Sequence, residues 1–230
     1  MAGRPYTFFQ LGQRYLNYYF TALNSRGHGI HSPFVYAFVR EILLDKTGFP
    51  LFSAIEQERS LLRRSTRRVE IMDYGAGSGK TTANQRTVGQ ITRSATKPPR
   101  LAQLLFRVAR YFKVNTVIEL GSSVGLTTAY LAGAVPQARV YSMEGDPVLA
   151  EIARETISHL ALENATVITG NFDDNFQSLL NRVGMVDLVY IDGNHRLEPT
   201  LRYFELALKN SHQETVLIFD DIHWKIGRAH

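Results

Sequence analysis

Thr116-Val-Ile-Glu-Leu-Gly-Ser-Ser-Val-Gly125 decides the fold of this 230-residue chain. A short run of β-branched and apolar residues ends on a glycine, and a helical pattern over 125–134 begins where the second glycine sits. The unit then repeats. Strands are predicted over 139–143, 166–169, 186–191 and 215–219, with helices over 147–161, 173–182 and 197–209 between them. Strand–helix alternation at this spacing means an α/β fold, a doubly wound parallel sheet covered on both faces. Right-handed crossovers put the C-terminal ends of the strands on one rim, where such sheets bind ligands.

The rim residues carry the chemistry. Gly121 permits a tight turn after the first strand, and Gly125 permits a close backbone approach. The spacing is G-x-x-x-G, not the dinucleotide G-x-G-x-x-G, which argues against a nicotinamide dehydrogenase. Glu144 ends the second strand and can accept both hydroxyls of a ribose. Gly170-Asn171-Phe172 follows the third strand, offering an amide for an adenine edge and an aromatic ring to cover it. Asp192-Gly193-Asn194-His195 follows the fourth, and Asp220-Asp221-Ile222-His223-Trp224 the fifth. Simpler readings stand beside these: Asp220 as a cap, Asp192 as a turn residue before Gly193, His195 as a hydrogen-bonded rim histidine.

Taken together, Glu119-Leu-Gly-Ser-Ser-Val-Gly125, Ser142-Met-Glu144-Gly-Asp146, Gly170-Asn171-Phe172, Tyr190-Ile-Asp192-Gly-Asn-His195 and Phe219-Asp220-Asp221-Ile222 resemble the class I S-adenosylmethionine-dependent methyltransferases. Within them the pattern is similar to the small-molecule O-methyltransferase branch, and it covers residues 100–224. The resemblance implies a Rossmann-like sheet. It places Glu119 and Gly121 beside the methionine part of the cofactor, Glu144 on the ribose, Asn171 by the adenine, and Asp192 facing the sulfonium and the acceptor, with Ser122, Ser123, Gly125 and Phe172 as further cofactor-binding residues. Some members bind a divalent cation through positions resembling Asp192, Asp220 and Asp221, an oxygen set suited to Mg²⁺. Without a metal, His195 is the candidate general base. The expected reaction is methylation of a hydroxyl on a small-molecule acceptor. A methyltransferase acting on RNA, protein or lipid, or a nucleoside-binding protein without catalysis, are the alternatives.

The rest of the chain is read more coarsely. Apolar residues make up 44% and charged residues 20%, ordinary for a globular protein. There is no run of apolar residues long enough to span a membrane and no visible secretory signal, so the expected location is cytoplasmic. The absence of cysteine excludes disulfides and thiolate zinc sites. Residues 1–115 hold 18 Lys and Arg against 6 Asp and Glu, whereas residues 116–230 hold 8 against 15. A basic first half fits either an anionic partner, nucleic acid included, or packing on the acidic half.

Residues 1–99 are read as a helical, basic extension forming a lid or a homodimer surface. Helices are predicted over 6–25, from Ser32-Pro33 onward, and over 52–64. His28 and His31 flank a helix start. Val69–Asp73 reads as a short strand. Gly75-Ala-Gly-Ser-Gly79-Lys80 fails the Walker pattern because Tyr74 stands where a glycine is required. Residues 81–99 read as polar and without a clean helix, and a helix is predicted over 101–112. The resemblance implies seven strands where five are present. The chain is therefore expected to continue past Trp224, with Lys225-Ile-Gly-Arg-Ala-His230 a non-native tail of the kind one frame of a sequencing adapter encodes.

Overall fold

The first ladder to explain is the central one, because Thr116–Leu120 (β3) is buried along its whole length. It runs parallel to Arg139–Glu144 (β4) on one side and Val186–Ile191 (β6) on the other. Ala165–Thr169 (β5) lies outside β4, and Ser211–Phe219 (β7) outside β6, giving the order β5-β4-β3-β6-β7. A strand enclosed by neighbours and by helices on both faces must be nearly continuous in apolar residues. In β3 Glu119 breaks that rule. The structure, a computed structural model, describes residues 32–72 and 83–221. The aromatic stretch 6–25, His28, His31, the Gly75–Gly79 loop, Asp73 and residues 222–230 lie outside the described residues.

The chain divides into two compact units at Thr47/Gly48. In the first, Pro33–Phe38 (α1) starts as expected, with the Ser32 hydroxyl accepting from the Val35 amide. Its last turn widens into a π-helical stretch at Val39–Leu43. Ile42 is buried, while Phe34 and Leu43 are exposed.

The second unit holds Pro50–Arg64 (α2), Arg68–Met72 (β1), Ala83–Thr87 (β2), Val88–Ala95 (α3), Pro99–Tyr111 (α4) and the sheet. β1 and β2 pair antiparallel. Here the polar reading of residues 81–99 is corrected. Thr87 and Gln90 form a reciprocal capping box that starts α3, and Val88 and Ile91 are buried beneath it. Three short-range signals outweigh the low apolar content: a box, one buried face and a close approach. Gly89 fits where a Cβ would lie 2.6 Å from the Arg63 carbonyl.

Between the strands run Leu126–Ala134 (α5), Pro147–His159 (α6), Phe172–Val183 (α7) and Leu197–Lys209 (α8). Asp146 caps α6, its carboxylate accepting from the amides of Val148 and Leu149. One face of the sheet buries Ile118, Leu120, Met143, Val189 and Ile191 against Phe176, Leu180 and Tyr203 of α7 and α8. An aromatic cluster ties α2 and α4 to α5: Phe52 packs edge-on against Phe106, with centroids 4.8 Å apart, and against Tyr130 at 5.3 Å. Among the described residues no helix is long and apolar enough to cross a membrane.

Phe52 is almost fully buried within that cluster. Phe52→Ala is expected to lower unfolding free energy by about 3 kcal/mol, measured by urea denaturation. A loss near zero would show that the cluster does not hold α2 to the sheet.

Candidate active site

The strand order reverses between β3 and β6, so the crevice at their C-terminal ends is where ligand-binding groups should converge. They do. The Gly121 amide donates to the Met143 carbonyl at the end of β4 (2.9 Å), and the Asp192 amide to the Leu120 carbonyl at the end of β3 (2.9 Å). Gly121 has φ +105°, and a Cβ there would collide with the Asp192 carbonyl. Gly125, at φ +81°, passes so near α6 that a Cβ would lie 2.9 Å from the Ala153 Cα. Both glycines are therefore required by geometry.

Three carboxylates meet at this mouth. Glu119 is fully buried; its Oε2 accepts from the Ser142 hydroxyl (2.6 Å) and the Thr128 hydroxyl. Its other oxygen, Oε1, has no partner among the described residues. Burial pushes its carboxyl up to about 7 from an ordinary 4.5, the two hydroxyls oppose that, and the charges of Asp192 and Glu144 add to it. Glu144 accepts from the amides of Ser123 (2.7 Å) and Asp146 (3.1 Å). Burial lifts it to about 7 as well, against those amides. The hydroxyls of Ser122 and Ser123 are buried and have no partner among the described residues. Buried polar oxygens are normally hydrogen-bonded, so these atoms at one mouth could take a polar group of a ligand.

Asp192 and Asp220 flank the hydroxyl of Tyr190, which is 1% exposed. It lies 2.9 Å from Asp192 Oδ2 and 2.8 Å from Asp220 Oδ2. With one proton it serves one carboxylate at a time. Lys97, just before α4, bridges the same pair: its ammonium is 3.1 Å from Asp192 and 2.6 Å from Asp220. Burial raises Asp192 to about 6, although Lys97 opposes this. For Asp220 burial acts upward too, but Lys97 and Tyr190 outweigh it, and the carboxyl falls below its ordinary value. The shorter contact thus marks the more firmly ionised partner. Lys97 itself is raised: the two aspartates outweigh the downward pull of burial.

The remaining expected residues spread outward. Asn171 caps α7, its Oδ1 accepting from the Asp173 amide, and its side chain is exposed. Phe172 lies against the loop after β6, where a Cβ on Gly193 would lie 2.7 Å from its ring. His195 is half-buried in that loop. Asn194 steadies the loop by donating to the Tyr203 hydroxyl (3.1 Å) and accepting from Arg196 (3.0 Å). Asp221 is exposed and lends its amide to Asp220. Among the described residues no group of three His, Cys, Asp or Glu side chains is placed to hold a metal ion. A divalent ion does not fit between Asp192 and Asp220 while the Lys97 ammonium lies there. A cavity of about 720 Å³ opens elsewhere, at the N-terminal edge of the sheet, lined by Phe49, Leu51, Arg110 and Asn164 among others.

Sequence reasoning missed Lys97, Tyr190 as a proton donor, and the Ser142–Thr128 pair under Glu119. Only Lys97-Pro98-Pro99 left a trace, as a helix start with a cation beside it.

An acid whose folded pKa lies above its unfolded value stabilises the fold below the unfolded value and loses that contribution as pH rises through the folded one. For Glu119 that window runs from 4.5 to about 7. Glu119→Gln is expected to reduce the loss of stability between about pH 5 and about pH 8 in denaturant melts. An unchanged loss would contradict the buried, partly unpaired state of Glu119.

Residues 118–222 match a family described as methyltransferase domain. The chain is 28% identical over 127 residues to a catechol O-methyltransferase of Niastella koreensis, covering 54% of this chain and 57% of that protein. It is 29% identical over 136 residues to one of Mycobacterium tuberculosis, covering 56% and 60%. It thus spans under two thirds of the length of these relatives. In fold it is similar to the O-methyltransferase TomG of Streptomyces achromogenes, involved in tomaymycin synthesis and solved with S-adenosylmethionine (TM-score 0.57, 19% identity, 83% of this chain and 71% of that one). Residues 118–222 thus carry the sequence pattern of a methyltransferase domain.

Proposed function

We propose that the chain transfers the methyl group of S-adenosylmethionine to a hydroxyl of a small molecule, a catechol-like acceptor being the first to test. The observation that carries this reading is the convergence of Glu119, Glu144 and Asp192 at one crevice, with polar atoms of Glu119, Ser122 and Ser123 that have no partner among the described residues. When bound, S-adenosylmethionine supplies a methyl carbon on a positively charged sulfur, which keeps the bonding pair as the carbon passes to the acceptor oxygen.

The residues divide the work. Glu144 accepts from the ribose hydroxyls, a task that needs its ionised form. The first-turn amides of α5, behind Gly125, favour the carboxylate of the methionine moiety. Glu119 Oε1 takes a donor from the same moiety. Asp192 faces the sulfonium, where a negative carboxylate is attractive. Phe172 and Asn171 border the adenine. His195 receives the hydroxyl proton as the oxygen is methylated. Most of the rate gain in such an in-line displacement comes from holding oxygen, carbon and sulfur in line. Two of the relatives are catechol O-methyltransferases, which motivates the choice of acceptor.

Calorimetry with S-adenosylmethionine tests the cofactor assignment. Wild type is expected to bind, more tightly as pH rises through the value of about 7 at Glu144. Glu144→Ala is expected to weaken binding about ten- to a hundredfold, the worth of charged hydrogen bonds. Mass spectrometry of catechol incubated with enzyme and cofactor should show a monomethyl ether. No heat of binding would sink the reading, and binding without any methylated product would reduce it to a nucleoside-binding role.

A further inference from the structure

We propose that Lys97 is the resident cation of the acceptor site and takes the place of a divalent metal between Asp192 and Asp220, so that the enzyme works without one. The inference rests on the methyltransferase reading for its chemistry, but its geometry stands alone. The Lys97 ammonium approaches both carboxylates, at 3.1 and 2.6 Å, and is itself largely buried. A Mg²⁺ ion binds carboxylate oxygens at roughly 2.0–2.1 Å. An ion drawing on these two carboxylates would therefore sit almost against the ammonium, and two cations repel strongly in a partly desolvated crevice.

Lys97 is held there by the scaffold. Arg59, 5% exposed, donates to the Lys97 carbonyl (3.0 Å) and the Thr96 hydroxyl (3.0 Å). Its other edge is fixed by Glu56, which also accepts from the Tyr130 hydroxyl at 2.8 Å. Pro98 and Pro99 then set the start of α4. The backbone of Lys97 is thus anchored on α2 and α5, and its side chain reaches the tips of β6 and β7.

An ammonium has three donors. Two point at Asp192 and Asp220, and the third is available to the acceptor oxygen. Lys97 keeps its proton throughout. The hydroxyl proton goes to His195, the oxygen forms its bond to the methyl carbon, and the fixed positive charge stabilises the oxygen as it loses its proton.

Manganese titrated into the full chain without cofactor, followed by the electron paramagnetic resonance of free Mn²⁺, reads the site independently of methyl transfer. Wild type is expected to leave the free signal unchanged at millimolar metal, and Lys97→Arg to do the same. Lys97→Met, folded by circular dichroism, is expected to bind one Mn²⁺ at least about tenfold more tightly than wild type. Adding Asp192→Asn should remove the gained site. With an acceptor in hand, wild-type turnover should survive EDTA, and Lys97→Met should lower kcat about a hundredfold. One equivalent of Mn²⁺ bound by wild type, or no site gained in folded Lys97→Met, overturns the proposal. Failure of cofactor binding would instead count against the methyltransferase reading and leave the manganese result intact.

Discussion

Everything at the mouth of the sheet depends on the close passage of the Gly121 backbone past Asp192. Parallel pairing of β3 with β6 brings the two strand ends level, but level ends form a crevice only if the turn after β3 adds no side chain there. A residue with a Cβ at position 121 would push against the Asp192 carbonyl. The same turn sends the Gly121 and Ser122 amides to the Met143 carbonyl and places the Ser123 amide on Glu144. One constraint thus sets the distance among the ends of β3, β4 and β6.

That arrangement crowds acids together in a partly dry place, which is unfavourable for the fold and useful for binding a cation. Glu119, Glu144 and Asp192 all sit above their ordinary values because burial penalises their charge. A positively charged sulfonium and the polar groups of a nucleoside would offset that penalty, which ties binding energy to a cost built into the fold. Lys97 neutralises the neighbouring pair at the ends of β6 and β7. On the proposed reading, the acidic side of the crevice takes the cationic donor and the side bearing Lys97 takes the oxygen nucleophile.

The parallel sheet was legible because buried strands and amphipathic helices have different periods, and each strand ended on a glycine or an acid. Glu119, Gly121, Glu144 and Asp192 drew notice as candidates for that reason, and the fold brings them to one rim. Residues 81–99 were not, because β2 and α3 are held by the Thr87–Gln90 box and by packing on α2, neither of which raises apolar content. Lys97 lay beyond reach for a different reason. Its partners are distant in sequence, and no local pattern records that a loop before α4 ends beside β6 and β7. Asn171 shows a second limit: its role as the cap of α7, through Oδ1 and the Asp173 amide, was not read from the sequence.

The most direct test of the shared crevice is a crystal of the protein soaked with S-adenosylhomocysteine. The account places the ribose hydroxyls on Glu144, the methionine end over the Gly121–Gly125 turn and the sulfur beside Asp192. Density for the ligand at the opposite edge of the sheet, in the cavity beside Phe49 and Arg110, would contradict it.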